Sequence, residues 1–209
     1  MKGGVFMAIY VISDLHLNHK NIINMGRQFE TLQEHYDYVI EEYNKVVGKD
    51  DLVYILGDVG FSPVQDLKLL IPRLNGRKVL ILGNHDKQKI GEYRNMGFIE
   101  VYDHPVYYSS HLILSHEPVR EALNNPYVFN VHGHLHFNIL DLPNYINVNT
   151  ELINYKPISL VKLEEYAAKR IKSRRENFGQ EWYFEYYKKS NTSPIIDDIR
   201  KNEQNNKNN

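Results

Sequence analysis

The feature that most limits how this chain can fold is a repeated punctuation. A short apolar run stops abruptly at a group of aspartate, asparagine or histidine side chains. Residues 7–12, 52–56 and 79–82 are apolar and rich in branched side chains. They end at Ser13-Asp14, Gly57-Asp58 and Gly83-Asn84-His85-Asp86. Runs of this kind read as strands buried on both faces. Between the first two lies a helical pattern. Thr31 and Glu34 have capping-box spacing, and Tyr36, Val39, Ile40, Tyr43, Val46 and Val47 follow the i, i+3, i+4 rule of one buried face. Gly48 is the expected stop. Ser62-Pro63 with Gln65 predicts a second helix reaching about Leu74. The order is therefore βαβα, the signature of a parallel sheet.

After Gly97 the texture changes. Residues 98–102, 106–109, 112–115, 127–131, 145–148 and 158–163 read as short strands with little helix between them. A parallel first half and a mostly β second half predict two packed sheets with helices outside, in the α/β class. A charged helix is expected over 164–177, then an aromatic cluster over 182–187 and a polar tail from Ser190. The expected organisation is one domain over 1–163, a helical and aromatic extension over 164–189, and a disordered tail over 190–209.

Charge and composition remove several function classes. Lysine plus arginine total 25 against 26 for aspartate plus glutamate. The near balance gives no bulk attraction to nucleic acid or anionic membrane. With no cysteine, disulfide scaffolds, cysteine nucleophiles and thiolate zinc sites are excluded. No run is long enough to span a membrane and no signal peptide is read, so the expected location is cytoplasmic. Phosphate-binding P-loops, dinucleotide fingerprints and nucleophile elbows are absent.

The ten histidines cluster. Five motifs follow predicted strands: Asp14-Leu15-His16, Gly57-Asp58, Gly83-Asn84-His85-Asp86, Ser115-His116 and Gly133-His134-Leu135-His136. Ligands of open α/β sheets bind at the carboxyl ends of strands, so one pocket is expected. Carboxylate oxygen, imidazole nitrogen and amide oxygen together suit manganese, iron, zinc, cobalt or nickel better than magnesium or calcium. If the segments are extended, Asp14 and His16 face one side, as do His134 and His136. Gly57, Gly83 and Gly133 allow sharp turns or close backbone approach.

This ordered set resembles the calcineurin-like metallophosphoesterase family over about residues 8 to 163, as do His19-Lys20-Asn21-Ile22-Ile23 and the stretch from Asn147-Val148 to Tyr155-Lys156-Pro157-Ile158-Ser159-Leu160. The resemblance implies a four-layer α-β-β-α sandwich with two divalent transition-metal ions at one rim, manganese foremost. Asp14, His16, Asp58 and His136 would hold one ion. Asp58, Asn84, His116 and His134 would hold the other, with Asp58 shared and a hydroxide between the ions attacking phosphorus. His85 matches the family histidine that stabilises the transition state or protonates the leaving oxygen, and Asp86 is a candidate to orient it. The implied reaction is phosphoester hydrolysis. A diester is preferred because the chain is compact and has no obvious cap domain. The expected substrate is a phosphorylated small molecule or a nucleotide. A phosphomonoesterase or nuclease of this fold is the alternative, and a metal-poor scaffold is disfavoured by the intact ligand set. The oligomeric state is left open.

Other residues receive plainer readings. His132 is read as a packed strand histidine, and His35, His104 and His111 as structural. His19 and Arg27 lie in a loop that can cover the pocket. Arg27 has the shape of a phosphate clamp but is read as a surface residue. The basic run Lys169, Arg170, Lys172, Arg174 and Arg175, beside the aromatic cluster, could hold single-stranded nucleic acid. A solvated helix face and a docked aromatic stripe are favoured instead.

Overall fold

The computed structural model describes residues 7–61 and 64–178. Ser62-Pro63, the aromatic cluster over 182–187 and the polar tail lie outside the described residues. Among the described residues, nine strands form two sheets. In the first, β1 (Ile9–Ile12), β2 (Leu52–Leu56), β3 (Arg77–Ile81) and β4 (Phe98–Tyr102) run parallel. The short β9 (Ile158–Ser159) joins β1 antiparallel, giving the order β4-β3-β2-β1-β9. The second sheet has the order β5-β6-β7-β8, from β5 (Val106–Tyr107), β6 (Leu112–Leu114), β7 (Phe129–His132) and β8 (Tyr145–Asn147). All but β5 are parallel there. Parallel pairing needs crossovers, and the helices α1 (Leu32–Asn44), α2 (Val64–Leu70) and α3 (Ile90–Asn95) supply them in the first sheet.

Side-chain alternation divides the first sheet between two cores. Ile12, Val53, Ile55 and Leu80 face one cluster with Val39, Ile40, Tyr43, Leu67 and Tyr93 from the helices. Val11, Leu56 and Ile81 face the other, against Leu112, Leu114, Phe129 and Val131 of the second sheet. A strand apolar on both faces is therefore explained: one face meets helices and the other meets a sheet. This is the expected α-β-β-α sandwich. Thr31 caps α1 by accepting from the Glu34 amide, while Glu34 Oε2 accepts from the amide of Glu30 rather than that of Thr31.

The largest departure from the expected strand boundaries is at the last strand. The expected strand over 158–163 is only Ile158–Ser159, and α5 (Leu160–Phe178) begins at once. Leu160, Leu163, Ala167 and Ile171 form a helical stripe inside the inter-sheet core. Apolar Ile158, Leu160, Val161 and Leu163 fit either period over so short a window, and the longer stripe decides it. The basic run on α5 is partly spent on packing. Arg174 donates to Pro126 O at 2.7 Å and lies over the Phe129 ring, and Arg175 sits 4.9 Å above Tyr127. Among the described residues no helix is long and apolar enough to cross a membrane.

Candidate metal centre

All five motifs leave the carboxyl ends of their strands at one rim shared by the two sheets. Backbone bonds lock these loops together. The amides of Asp14 and His16 donate to the carbonyls of Gly57 and Asp58, and that of Gly133 donates to His116 O. Close approach explains two glycines. A Cβ on Gly133 would lie 1.8 Å from Ser13 Oγ and 2.2 Å from Asp14 Oδ2. Gly57 has a φ of +79°, and its Cβ would meet His116 Nδ1 at 2.5 Å.

The expected extended geometry of the paired motifs is not what brings them together. Asp14, His16, Asp58, His134 and His136 all have positive φ, between 48° and 69°. Left-handed backbone is unfavourable for non-glycine residues, by about 1–3 kcal/mol each, and gathers where function requires it. Here it turns consecutive ligand candidates inward at the same rim. Sequence spacing alone carries the i, i+2 relation but not this conformation.

Each carboxylate uses one oxygen for anchoring and presents the other. Asp14 Oδ2 accepts from Ser13 Oγ and from the His134 amide, while its buried Oδ1 has no hydrogen-bond partner. Asp58 Oδ1 accepts from the His85 amide at 2.9 Å. Its Oδ2 stands 3.6 Å from Nε2 of His16 and 3.6 Å from Nε2 of His116. The imidazoles are oriented from behind in the same way. His116 Nδ1 donates to Leu56 O at 2.8 Å, and His136 Nδ1 to Glu151 Oε1 at 2.9 Å. His16 Nδ1 contacts His19 Nδ1, leaving the buried His16 Nε2 without a partner, 3.7 Å from Asp14 Oδ1. On the other side, Asn84 Oδ1 lies 2.8 Å from His116 Nε2 and 3.1 Å from His134 Nδ1.

The structure thus brings together all seven expected ligands. Asp14, His16 and His136 each offer a donor atom within 4.8 Å of the others, and so do Asp14, Asp58 and His116. Orphaned buried donor atoms are costly unless something satisfies them. A cation does so with the oxygen and nitrogen donors present, and the residues therefore fit a bound metal. Burial pushes the Asp14 carboxyl up, but the neighbouring His16 and His116 and the hydrogen bond from Ser13 outweigh it and hold the pKa at about 2. Burial also keeps His16 below the ordinary imidazole range, despite Asp14 beside it. Both shifts favour the deprotonated forms that metals bind, the carboxylate anion and the neutral imidazole.

His85 borders the cluster, its ring 5.8 Å from that of His16 and 5.5 Å from that of Phe61. Asp86 does not orient that ring. Its buried carboxylate accepts from the amides of Asp58, Val59 and Gly83, tying two motif loops together. Burial nonetheless raises its pKa to about 7, against those three amides. His132 packs on the far face, with Nδ1 donating to Gly133 O and the ring edge-on to Tyr145. His35 is buried as a structural partner of Arg27, whereas His104 is exposed and pairs with Asp103.

Arg27 is neither a surface residue nor a phosphate clamp. It is 2% exposed and donates to the carbonyls of Asp14 and Leu15, to His35 and to Glu151. Glu151 is the residue that sequence reasoning missed. It follows the last ligand motif by 15 positions, with no motif of its own, and its role exists only through contacts distant in sequence.

Fold and site together define a metal-dependent phosphoesterase architecture. The profile of the calcineurin-like phosphoesterase family matches residues 7–197, and the chain belongs to that family. Among known proteins it is similar to the uncharacterized protein MJ1445 of Methanocaldococcus jannaschii, 39% identical over 170 residues, covering 75% of this chain and 91% of that one. It also resembles the gene 66 protein of Mycobacterium phage L5, 38% identical over 77 residues, covering 35% of this chain and 37% of that one. A solved structure, the protein of unknown function AQ665 from Aquifex aeolicus, superposes with a TM-score of 0.62 at 29% identity. It covers 77% of this chain and 99% of that one.

Proposed function

We propose that this chain is a phosphodiesterase that works with two divalent transition-metal ions, manganese foremost, on a phosphorylated small molecule or nucleotide. The observation that carries this reading is the placement of Asp58 Oδ2, 3.6 Å from Nε2 of both His16 and His116. One oxygen between two imidazoles that face different ligand groups is the position of a shared ligand. Asp14, His16, Asp58 and His136 would hold one ion, and Asp58, Asn84, His116 and His134 the other. Such a pair lowers the pKa of water and neutralises charge on phosphoryl oxygens.

The chain supplies the rest. The strand ends fix the ligands before substrate arrives, so little reorganisation is needed at the moment of reaction. His85, held at the cluster edge by the hydrogen bond from its backbone amide to Asp58 Oδ1, would stabilise the transition state or protonate the leaving oxygen. Asp86 keeps the Asp58 and Gly83 loops in register. Preference for a diester is supported by the open rim, since Asn84 is exposed and no cap domain is inserted between the described strands.

The test is turnover of bis-(p-nitrophenyl) phosphate and of p-nitrophenyl phosphate by chelator-stripped protein, with manganese, nickel, zinc or magnesium restored. Metal-dependent cleavage of the diester over the monoester is expected. Cleavage of the monoester alone would replace the reading with a phosphomonoesterase. No turnover and no bound metal would replace it with a scaffold role.

A further inference from the structure

The two halves of the metal cluster are not supported in the same way. Behind His116 stands only a backbone carbonyl, that of Leu56. Behind His136 stands a buried ion pair. Glu151 has a side chain 2% exposed, and its Oε1 accepts from His136 Nδ1 at 2.9 Å and from Arg27 Nε at 2.8 Å. Arg27 Nη2 lies 2.8 Å from the same oxygen. The same Nη2 donates to Asp14 O and Nη1 donates to Leu15 O, the backbone of the first ligand motif. One continuous chain of contacts therefore runs from His136 through Glu151 and Arg27 to Asp14. It joins residues 124 positions apart. His16 belongs to the same half, its ring stacked 5.1 Å from that of His136.

We infer that Glu151, held by Arg27, is the positioning residue for one half of the centre. It fixes His136 with the proton on Nδ1 and the Nε2 lone pair turned toward Asp14 and His16. This inference rests on the two-ion reading above and deepens it, because it assigns Glu151 to one ion and not the other. The physical reason is that a metal-binding imidazole needs its remote nitrogen committed as a donor. A carboxylate is the strongest such acceptor, and losing one typically costs about 10–100-fold in metal affinity. Arg27 holds the buried carboxylate in place through Nε and Nη2, so Glu151 presents one fixed acceptor to the ring. Asn84, His116 and His134 make no hydrogen bond to Glu151 or Arg27, so an ion that they would hold is expected to keep its affinity when the pair is altered.

The experiment is a manganese titration of the full chain, stripped of metal, followed by equilibrium dialysis and elemental analysis. Wild type is expected to bind two ions. Glu151→Gln is expected to weaken one of them by about 10–100-fold and to leave the other unchanged. Equal affinities in wild type and variant, or equal loss at both sites, would overturn the inference. A second variant, Arg27→Met with Glu151→Leu, removes both buried charges together and guards against simple misfolding. It is expected to show the same one-sided loss. The metal-free chain gives an independent readout: long-range proton–nitrogen spectra should show His136 protonated on Nδ1 in wild type and redistributed in Glu151→Gln. An unchanged tautomer in the variant would overturn the inference whatever the metal stoichiometry. A wild type that binds one ion would instead contradict the two-ion reading. The spectra, with the affinity for that ion, would then decide for or against Glu151.

Discussion

Oδ2 of Asp58 lies 3.6 Å from Nε2 of His116, although the two residues leave strands of different sheets. The contact crosses the seam of the sandwich at its rim. It exists because β2 and β6 both end there, and because the Asp58 backbone turns left-handed just past its strand. A carboxylate placed on the seam borders both halves of the cluster, and on the two-ion proposal it would be shared between them.

Asp58→Ala should remove bound metal from both halves and abolish turnover, since its Oδ2 lies 3.6 Å from Nε2 of both His16 and His116. Elemental analysis and diester turnover check this. A variant that keeps two ions and half its activity would contradict the shared position.

His85→Ala should keep both ions and lose turnover by about 100-fold or more, the usual effect of losing one positioned acid. The backbone amide that bonds Asp58 survives this substitution. Normal turnover in the variant would remove His85 from the reaction.

Arg27→Met should destabilise the fold by about 3–5 kcal/mol, because it leaves the buried Glu151 carboxylate without its cation, with only His136 still bonded to it. Urea unfolding measures this. Pairing the change with Glu151→Leu should recover much of the loss, since the stranded charge is then gone. A neutral single substitution would show that the pair is not coupled.

His35 gives a pH dependence. It is fully buried, with Nε2 2.7 Å from Arg27 Nη1. Burial, then the Arg27 charge, lowers its pKa to about 3 from 6.5. Below pH 6.5 the unfolded chain takes up a proton that the folded chain refuses. His35 therefore lowers stability as pH falls from about 6.5 toward 3, by up to about 1.4 kcal/mol per pH unit. His35→Gln should flatten the acid limb of unfolding free energy against pH over that window. Parallel profiles for wild type and variant would contradict it.

The sandwich and the seven clustered side chains were legible because apolar runs and the polar motifs that end them are local patterns. Strand β2 and the Gly57-Asp58 turn lie side by side in sequence, so burial and chemistry can be read together. Left-handed backbone at His16 and His136 was not legible, because histidine carries no strong preference for it. The start of α5 at Leu160 was hidden by a six-residue window that suits a strand equally well. Arg27 looked like a surface side chain because its partners, Glu151 and the carbonyls of Asp14 and Leu15, are chosen by tertiary packing. Asp86 sits beside His85 in sequence, yet its carboxylate turns to the amides of another loop.

The most direct measurement is the anomalous scattering of manganese in crystals of the full chain. The account predicts two peaks per chain, one among Asp14, His16 and His136, the other among Asn84, His116 and His134, with Asp58 between them. A single peak, or peaks away from these residues, would contradict it.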